Sequence, residues 1–483
     1  MNINSKTLSV SFFWSLLEQG GSSVLSLIVQ IVLARMLAPE IFGIMAILLV
    51  INGVISTIAQ GGFGAALIQK KDASKTSFST ALWLSLGFAV VLYAIAFFSA
   101  PLIATLYSMP ELCMYIRILA ITIFLDSFNS IQRAYLQKKM QFKALFSVNF
   151  IAMFFGAIAG ITLAIFNFGV WALICQAITQ ALIACIVMLI KTPWKPSLEL
   201  DMLEGKSLFS YGWKICATGI LNTFYTGLSE LVIGKSCSAA DLGYYSQGRK
   251  WPNAAMATIN NSLQNVLFPA FSELQNNMKE FRYAIRKALI SGFYITAPVC
   301  ILSAIIAEPL IYFLLGESWL PCTLIFQFSC IGYTFIMPQV VNLRAYMALG
   351  LSGLYLKLQL IKVISGALFF CVVAIATKNI YIVSAAVLIH TTACILFVDM
   401  HSAKKAFGMG AFAQVKMITP TLVLSLIAAL AASLINLFGF DYLPRLIIQV
   451  LIFTILYILG SVLIQHEGFE DCRRILKAII VNK

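Results

Sequence analysis

Charge is what this sequence has least of: Asp, Glu, Lys and Arg together make up 11% of 483 residues, against about 25% in soluble domains. With 60% hydrophobic residues and a mean hydropathy of +0.92, a soluble globular chain is excluded. No polar stretch is long enough to form a separate soluble domain. Histidine is nearly missing too: there are three, His390, His401 and His466, and no acidic pair of the DxD kind accompanies them. The eleven cysteines stand singly, most inside apolar stretches, with no CxxC and no histidine at ligand spacing. They read as packing residues. No metal site, disulfide framework or cofactor is expected.

What is present is a repeated rhythm of apolar stretches near 20 residues, each about the length that spans a bilayer as a helix. Windows of about 19 residues place helices near 9–34, 40–66, 77–100, 113–133, 145–166, 170–190, 207–233, 240–267, 288–307, 321–343, 358–376, 380–400, 417–438 and 445–465. The expected fold is all-α, a polytopic membrane protein of about fourteen helices. The N-terminus carries one Lys and runs into a long span without a small-residue cleavage site, so it reads as a retained first helix.

The net charge of +14 would suggest nucleic acid in a soluble protein, but here the basic residues sit in alternate loops and report orientation instead. Lys70, Lys71 and Lys75, then Arg133 to Lys143, Lys191 to Lys206, Lys279 to Lys287 and the tail from Arg473 all fall on one side. Arg35, Lys235, Lys378 and Arg445 fall on the other. The positive-inside rule then puts both termini in the cytoplasm and an even number of spans between them.

An internal repeat shows on overlay. Ala34-Arg35-Met36-Leu37-Ala38-Pro39-Glu40-Ile41-Phe42-Gly43 lies over Gly234-Lys235-Ser236-Cys237-Ser238-Ala239-Ala240-Asp241-Leu242-Gly243, and Arg133-Ala134-Tyr135-Leu136 lies over Arg344-Ala345-Tyr346-Met347. Short identities arise by chance in apolar sequence, but two in the same order at equivalent helix ends favour duplication. Both copies hold six helices and start on the same side, the arrangement of parallel repeats in rocking transporters. The expected division is an N-lobe over 1–200, a C-lobe over 201–405, and two extra helices with a cytoplasmic tail over 406–483.

Several spans carry polar stripes at helical spacing. Helix 1 has Ser11, Ser15, Glu18, Ser22 and Ser26; helix 7 has Lys214, Thr218, Asn222, Tyr225 and Ser229; helix 8 has Tyr245, Arg249, Asn253 and Asn260; helix 2 has Asn52, Ser56 and Gln60. Such faces cannot meet lipid without leaving polar groups unsatisfied, so they line a cavity or bond helix to helix. Arg117, Lys214, Lys250 and Lys362 lie near enough to helix ends to snorkel. Glu18, Asp126 and Arg249 lie deeper, where ionisable groups point to function. Arg249 is the leading candidate for an anionic ligand, because a guanidinium offers fixed donors and keeps its charge. Glu18, Asp126 and Glu230 are candidates for a coupling ion. Gly156 and Gly160 form a GxxxG, more often a close helix contact than a site.

The runs Val32 to Gly43, Gln137-Lys138-Lys139-Met140-Gln141-Phe142 and Val266 to Gln275 resemble the polysaccharide transporter family. That family includes the O-antigen, colanic-acid and teichuronic-acid flippases of the multidrug/oligosaccharidyl-lipid/polysaccharide superfamily. The resemblance implies two six-helix lobes around a cavity, two extra C-terminal helices, a bacterial inner-membrane location, and an undecaprenyl-pyrophosphate-linked oligosaccharide as cargo in lipopolysaccharide or exopolysaccharide biosynthesis. It also implies membrane lipid as surroundings, a polysaccharide polymerase and export machinery as partners, and no nucleic acid. Basic cavity residues hold the pyrophosphate in that family, and Arg249 and Lys214 are the nearest matches, with Asn222, Tyr225, Tyr245, Asn253, Asn260, Asn52 and Gln60 as further cavity candidates. The N-terminal half departs from the pattern, since helices 1 and 2 carry no deep Arg or Lys. Two rival readings stand: a multidrug or organic-cation exporter of the same superfamily, served by the acidic residues, and a membrane-embedded polymerase, disfavoured by short external loops.

Overall fold

The computed structural model describes residues 5–70 and 72–481, apart from the side chains of 5–19, 257–259, 261–266, 352 and 475–481. Among the described residues the regular structure is entirely helical, and eleven helical segments are long and apolar enough to cross a bilayer. Three more long helices, α1 (Ser5–Met36), α9 (Met202–Ser236) and α10 (Ala239–Leu274), fall outside that group. Of these, α9 carries a polar stripe that dilutes its apolarity, while the described side chains of α1 begin at Gly20 and those of α10 are interrupted at 257–259 and 261–266.

The chain forms two compact units, Met1–Gly243 and Tyr244–Lys483. In the first, α2 (Pro39–Gln60) is central, packing on α4 (Lys75–Tyr107), α5 (Leu112–Leu119), α6 (Thr122–Lys138), α8 (Val170–Lys191) and α9. Pro39 opens α2 at a position where the missing N–H is harmless. Gly61 (φ 56) and Gly62 (φ 71) close it in the left-handed region, and the short α3 (Phe63–Gln69) follows. α4 begins on a capping box between Ser74 and Ser77, and α9 on Asp201, which accepts from the backbone N–H of Leu203 and Glu204. Phe78, Tyr135 and Trp194 stack near the same end, and Lys70 pairs with Glu204 at 2.6 Å.

α2 and α9 run antiparallel at close range because α9 presents glycine to its partner every seven or eight residues. Gly212, Gly219, Gly227 and Gly234 face Gly62, Thr57, Val50 and Ile47; a Cβ on Gly227 would stand 2.5 Å from Val50 Cγ1. α7 (Phe142–Ile165) and α8 approach in the same manner. A Cβ on Gly156 would lie 3.1 Å from Gln176 O, and one on Gly160 would lie 3.0 Å from Gln176 Cβ. The GxxxG is therefore a helix contact, as its sequence suggested.

The two turns matched in the sequence overlay touch one another. A Cβ on Gly43 would lie 1.9 Å from Ala239 O, and a Cβ on Gly243 would lie 2.0 Å from Pro39 O. The contact is reciprocal, position 43 on 239 and position 243 on 39, and it is made by backbone alone.

In the second unit, α11 (Met278–Ile305) packs on α13 (Thr323–Thr334), α14 (Ile336–Ala348), α18 (Ala411–Ser433) and α20 (Glu467–Val481). Its core gathers Phe271, Phe281, Phe293, Met337, Tyr346 and Phe407. α15 (Ser352–Thr377) lies beside α16 (Ile380–Ala393), which continues through one wide π-type turn, Cys394–Asp399, into α17 (Met400–Phe407). α19 (Tyr442–Leu463) packs on α18 and on the short α12 (Ala307–Leu315). Between α19 and α20, His466 accepts from Gly468 N at Nδ1 (3.0 Å), so Nε2 carries the proton and donates to Thr421 Oγ1 (2.9 Å).

Candidate functional site

In the first unit, residues of α2, α3, α5, α6, α7 and α8 line a cavity of about 620 Å³. α2 contributes Asn52 and Gln60, four-residue steps apart with Ser56 between them. α6 contributes Thr122, Asp126, Asn129 and Arg133, spaced by three and four so that all share one face. Asn149 of α7, Gln180 of α8 and, further around α6, Ser130 and Gln137 add to the polar lining. The groups are tied to one another, mostly across helices. Asn52 Nδ2 donates to Thr122 Oγ1 (3.0 Å), Ser56 Oγ to Asp126 Oδ2 (3.0 Å), Gln60 Nε2 to Ser56 Oγ (3.4 Å), Asn129 Nδ2 to Ala181 O (3.0 Å) and Arg133 Nη2 to Asn149 Oδ1 (2.9 Å). The carbonyl oxygens of Asn52 and Asn129 are buried and accept from no donor among the described residues.

Three residues marked from the sequence, Asn52, Gln60 and Asp126, are thus brought together. The sequence reading missed Thr122, Asn129, Asn149 and Gln180, although Asn129 follows Asp126 by three residues and precedes Arg133 by four. Arg133, which the sequence groups with the loop cations, is carried into the cavity by its helix. The cation in the lining of this cavity comes from α6.

On α9, Lys214 and Asn222 are exposed while Tyr225 and Glu230 are half-buried, on faces that the glycine contact with α2 leaves uncovered. Glu18 and its neighbours Ser11 and Ser15 lie outside the described side chains.

In the second unit Arg249 is half-buried on α10. Its Nη1 donates to Tyr245 OH (3.0 Å), and its guanidinium stands 5.2 Å from the Tyr245 ring. Tyr245 is fully buried, so it anchors the guanidinium and presents no surface itself. Asn253 is exposed and Asn260 half-buried further along the helix.

Lys362 does not snorkel. It is 3% exposed and its Nζ lies 2.6 Å from Asp399 Oδ2, a charged pair sealed between α15 and the π turn, though out of hydrogen-bond alignment. The span read as ending near residue 400 runs on to Phe407, and this places Asp399 within the apolar segment. Tyr346 OH donates to the Asp399 backbone oxygen (2.6 Å), and Ser365 Oγ meets His390 Nε2 at 2.9 Å nearby. Arg117 is likewise held inward, its Nε donating to Phe97 O at 3.2 Å.

Bilayer-length apolar helices with polar groups gathered among them define a multi-pass integral membrane protein. A family model described as polysaccharide biosynthesis protein matches residues 32–324, and the chain belongs to that family. It is 24% identical over 317 residues to the succinoglycan biosynthesis transport protein ExoT of Rhizobium meliloti (strain 1021), covering 66% of this chain and 64% of that one. It is also 24% identical over 337 residues to the lipopolysaccharide biosynthesis protein WzxC of Escherichia coli (strain K12), covering 68% of each. The teichuronic acid biosynthesis protein TuaB of Bacillus subtilis (strain 168) is 26% identical over 264 residues, 54% of each chain. Among solved structures, the lipid II flippase MurJ in an inward closed conformation shares the fold with a TM-score of 0.75 at 16% identity, covering 95% of this chain and 99% of that one. An inward-facing multidrug resistance transporter of the MATE family gives 0.61 at 14% identity, covering 83% and 95%.

Proposed function

We propose that this protein is a flippase that carries an undecaprenyl-pyrophosphate-linked oligosaccharide across the bacterial inner membrane by alternating access. The observation that carries the reading is the polar cavity of about 620 Å³ among membrane-length helices of a chain from the polysaccharide biosynthesis family. Groups such as Asp126 and Arg133 are expensive within a membrane and persist there when a pathway uses them. The full reading has fourteen spans, two six-helix lobes built as parallel repeats, two further C-terminal helices, and both termini in the cytoplasm. The reciprocal contact of Gly43 and Gly243 supports the duplication, since a repeat pairing with its own copy meets it through equivalent positions.

The pyrophosphate needs cations, because a multiply charged group in a low-dielectric path costs several kcal/mol unless compensated. Arg249, anchored by Tyr245, and Lys214, on the exposed face of α9, are assigned that role, each from its own unit. Partnership with a polymerase and export proteins follows from such a cargo. An organic-cation exporter would rest on Asp126, but Arg133 on the same cavity face offsets that charge.

The purified chain in proteoliposomes should move a fluorescent undecaprenyl-pyrophosphoryl oligosaccharide between leaflets, with tetraphenylphosphonium efflux measured in parallel. Cation efflux without lipid movement would overturn the assignment.

A further inference from the structure

We infer that the cavity of the first unit is a sugar subsite: it receives a glycosyl ring of the cargo, not its pyrophosphate. The inference rests on the flippase reading and names what this cavity binds.

The argument turns on which side of a hydrogen bond the cavity lacks. Asn52 and Asn129 spend their NH₂ groups on Thr122 and Ala181, and each leaves a buried carbonyl oxygen with no donor among the described residues. Asp126 adds carboxylate oxygens to the same lining. A buried acceptor left unmade is costly, so the fitting ligand is one that brings O–H or N–H groups. A pyrophosphate at neutral pH offers acceptors almost exclusively and so cannot satisfy these oxygens, and with Arg133 offset by Asp126 on the same face the lining carries no net positive charge to hold it. A sugar hydroxyl both donates and accepts. Its donor satisfies Asn52 and Asn129, and its oxygen takes donors from carboxamides such as Gln180. Apolar patches such as Leu49 and Met188 suit the C–H faces of a pyranose, and about 620 Å³ lies in the range of small-ligand pockets.

The test uses the full chain in nanodiscs, with undecaprenyl pyrophosphate and the same lipid bearing one glucose, galactose or N-acetylglucosamine. Wild type should bind at least one glycosylated lipid about tenfold more tightly than the bare lipid, as expected for a few net hydrogen bonds. Asn52→Ala and Asn129→Ala should cut that preference to about twofold or less with bare-lipid affinity unchanged. Ala177→Leu, which fills the cavity without removing a hydrogen bond, should do the same. Bare-lipid binding and thermal unfolding report folding. If wild type binds all four lipids equally, or the variants keep the preference, or Ala177→Leu weakens bare and glycosylated lipids alike while melting as wild type does, the sugar subsite is overturned and the flippase reading stands. If wild type binds none of the lipids, the flippase reading itself is lost.

Discussion

Lys362 and Asp399 form an ion pair 2.6 Å apart with side chains only 4% and 0% exposed, at the place where α16 widens into a π turn. Such a pair is held by mutual neutralisation, since removing one partner leaves the other as a bare buried charge. Lys362→Ala or Asp399→Ala should each destabilise the protein by about 3–5 kcal/mol. The double variant Lys362→Met/Asp399→Leu should lie much closer to wild type, because apolar groups of similar volume replace both charges. Thermal unfolding in detergent of the four proteins checks this; equal, additive losses would show that the charges do not depend on one another.

The glycine face of α9 predicts a steric limit. Val50 leaves no room for a side chain at Gly227, where a Cβ would come within 2.5 Å. Gly227→Leu should force α2 and α9 apart at a cost of about 1–3 kcal/mol or more, while the same change at Gly353, with open space around it, should be tolerated far better. Accumulation and thermal stability of the two variants, side by side, give the answer.

His466 predicts a pH dependence. Burial lowers its pKa from the ordinary 6.5, opposed in part by Glu467. With the folded pKa below the unfolded one, its contribution is fully present above about pH 6.5 and is lost as the pH falls through the folded value. The neutral ring is also what the geometry requires, with Nδ1 accepting from Gly468 and Nε2 donating to Thr421. The melting temperature should fall on acidification below about pH 6. In His466→Gln, which has no proton to gain, the fall should be smaller, and identical profiles would remove the histidine from the effect.

Arg249 is the residue on which export should depend. Losing a buried charged contact costs about 2–5 kcal/mol, or roughly 30-fold or more in affinity. Arg249→Ala should abolish polysaccharide export in a flippase-deficient strain while the protein still accumulates, and Arg249→Lys should restore only part. Full export by Arg249→Ala combined with Lys214→Ala would take both residues out of the mechanism.

Orientation is testable without transport. Single cysteines placed in the 70–75 and 279–287 loops of a cysteine-free variant should resist an impermeant maleimide added to intact cells. Labelling from outside would reverse the topology.

The helices were legible because a bilayer demands about twenty apolar residues per span, a demand visible in composition alone. The Asn52/Ser56/Gln60 face and the depth of Asp126 were legible for the related reason that polar residues at helical spacing stand out against that background. Asn149 and Gln180 were not, since each is a single polar residue whose meaning depends on which helix lies opposite. Lys362 and Asp399 failed for another reason. A cation that the hydropathy window places about one turn inside a span looks like a snorkelling one until its partner, 37 positions on, is seen beside it. The boundary of the span near residue 400 hid that partner, because a π turn does not interrupt the hydropathy.

The backbone contact of Gly43 with Gly243 also fixes a register between the two turns that the sequence overlay matches. Carried along the flanking helices, that offset of 200 sets Gln60 against Asn260, a like-for-like exchange, but sets Leu49 against Arg249 and Trp14 against Lys214. On the proposed duplication, Arg35 and Lys235 match as cations, whereas Arg249 and Lys214 have no basic counterpart at the matched positions. A carrier of the proposed kind would then offer an anionic head group cations that the matched turn does not repeat, so that equivalent positions differ in charge.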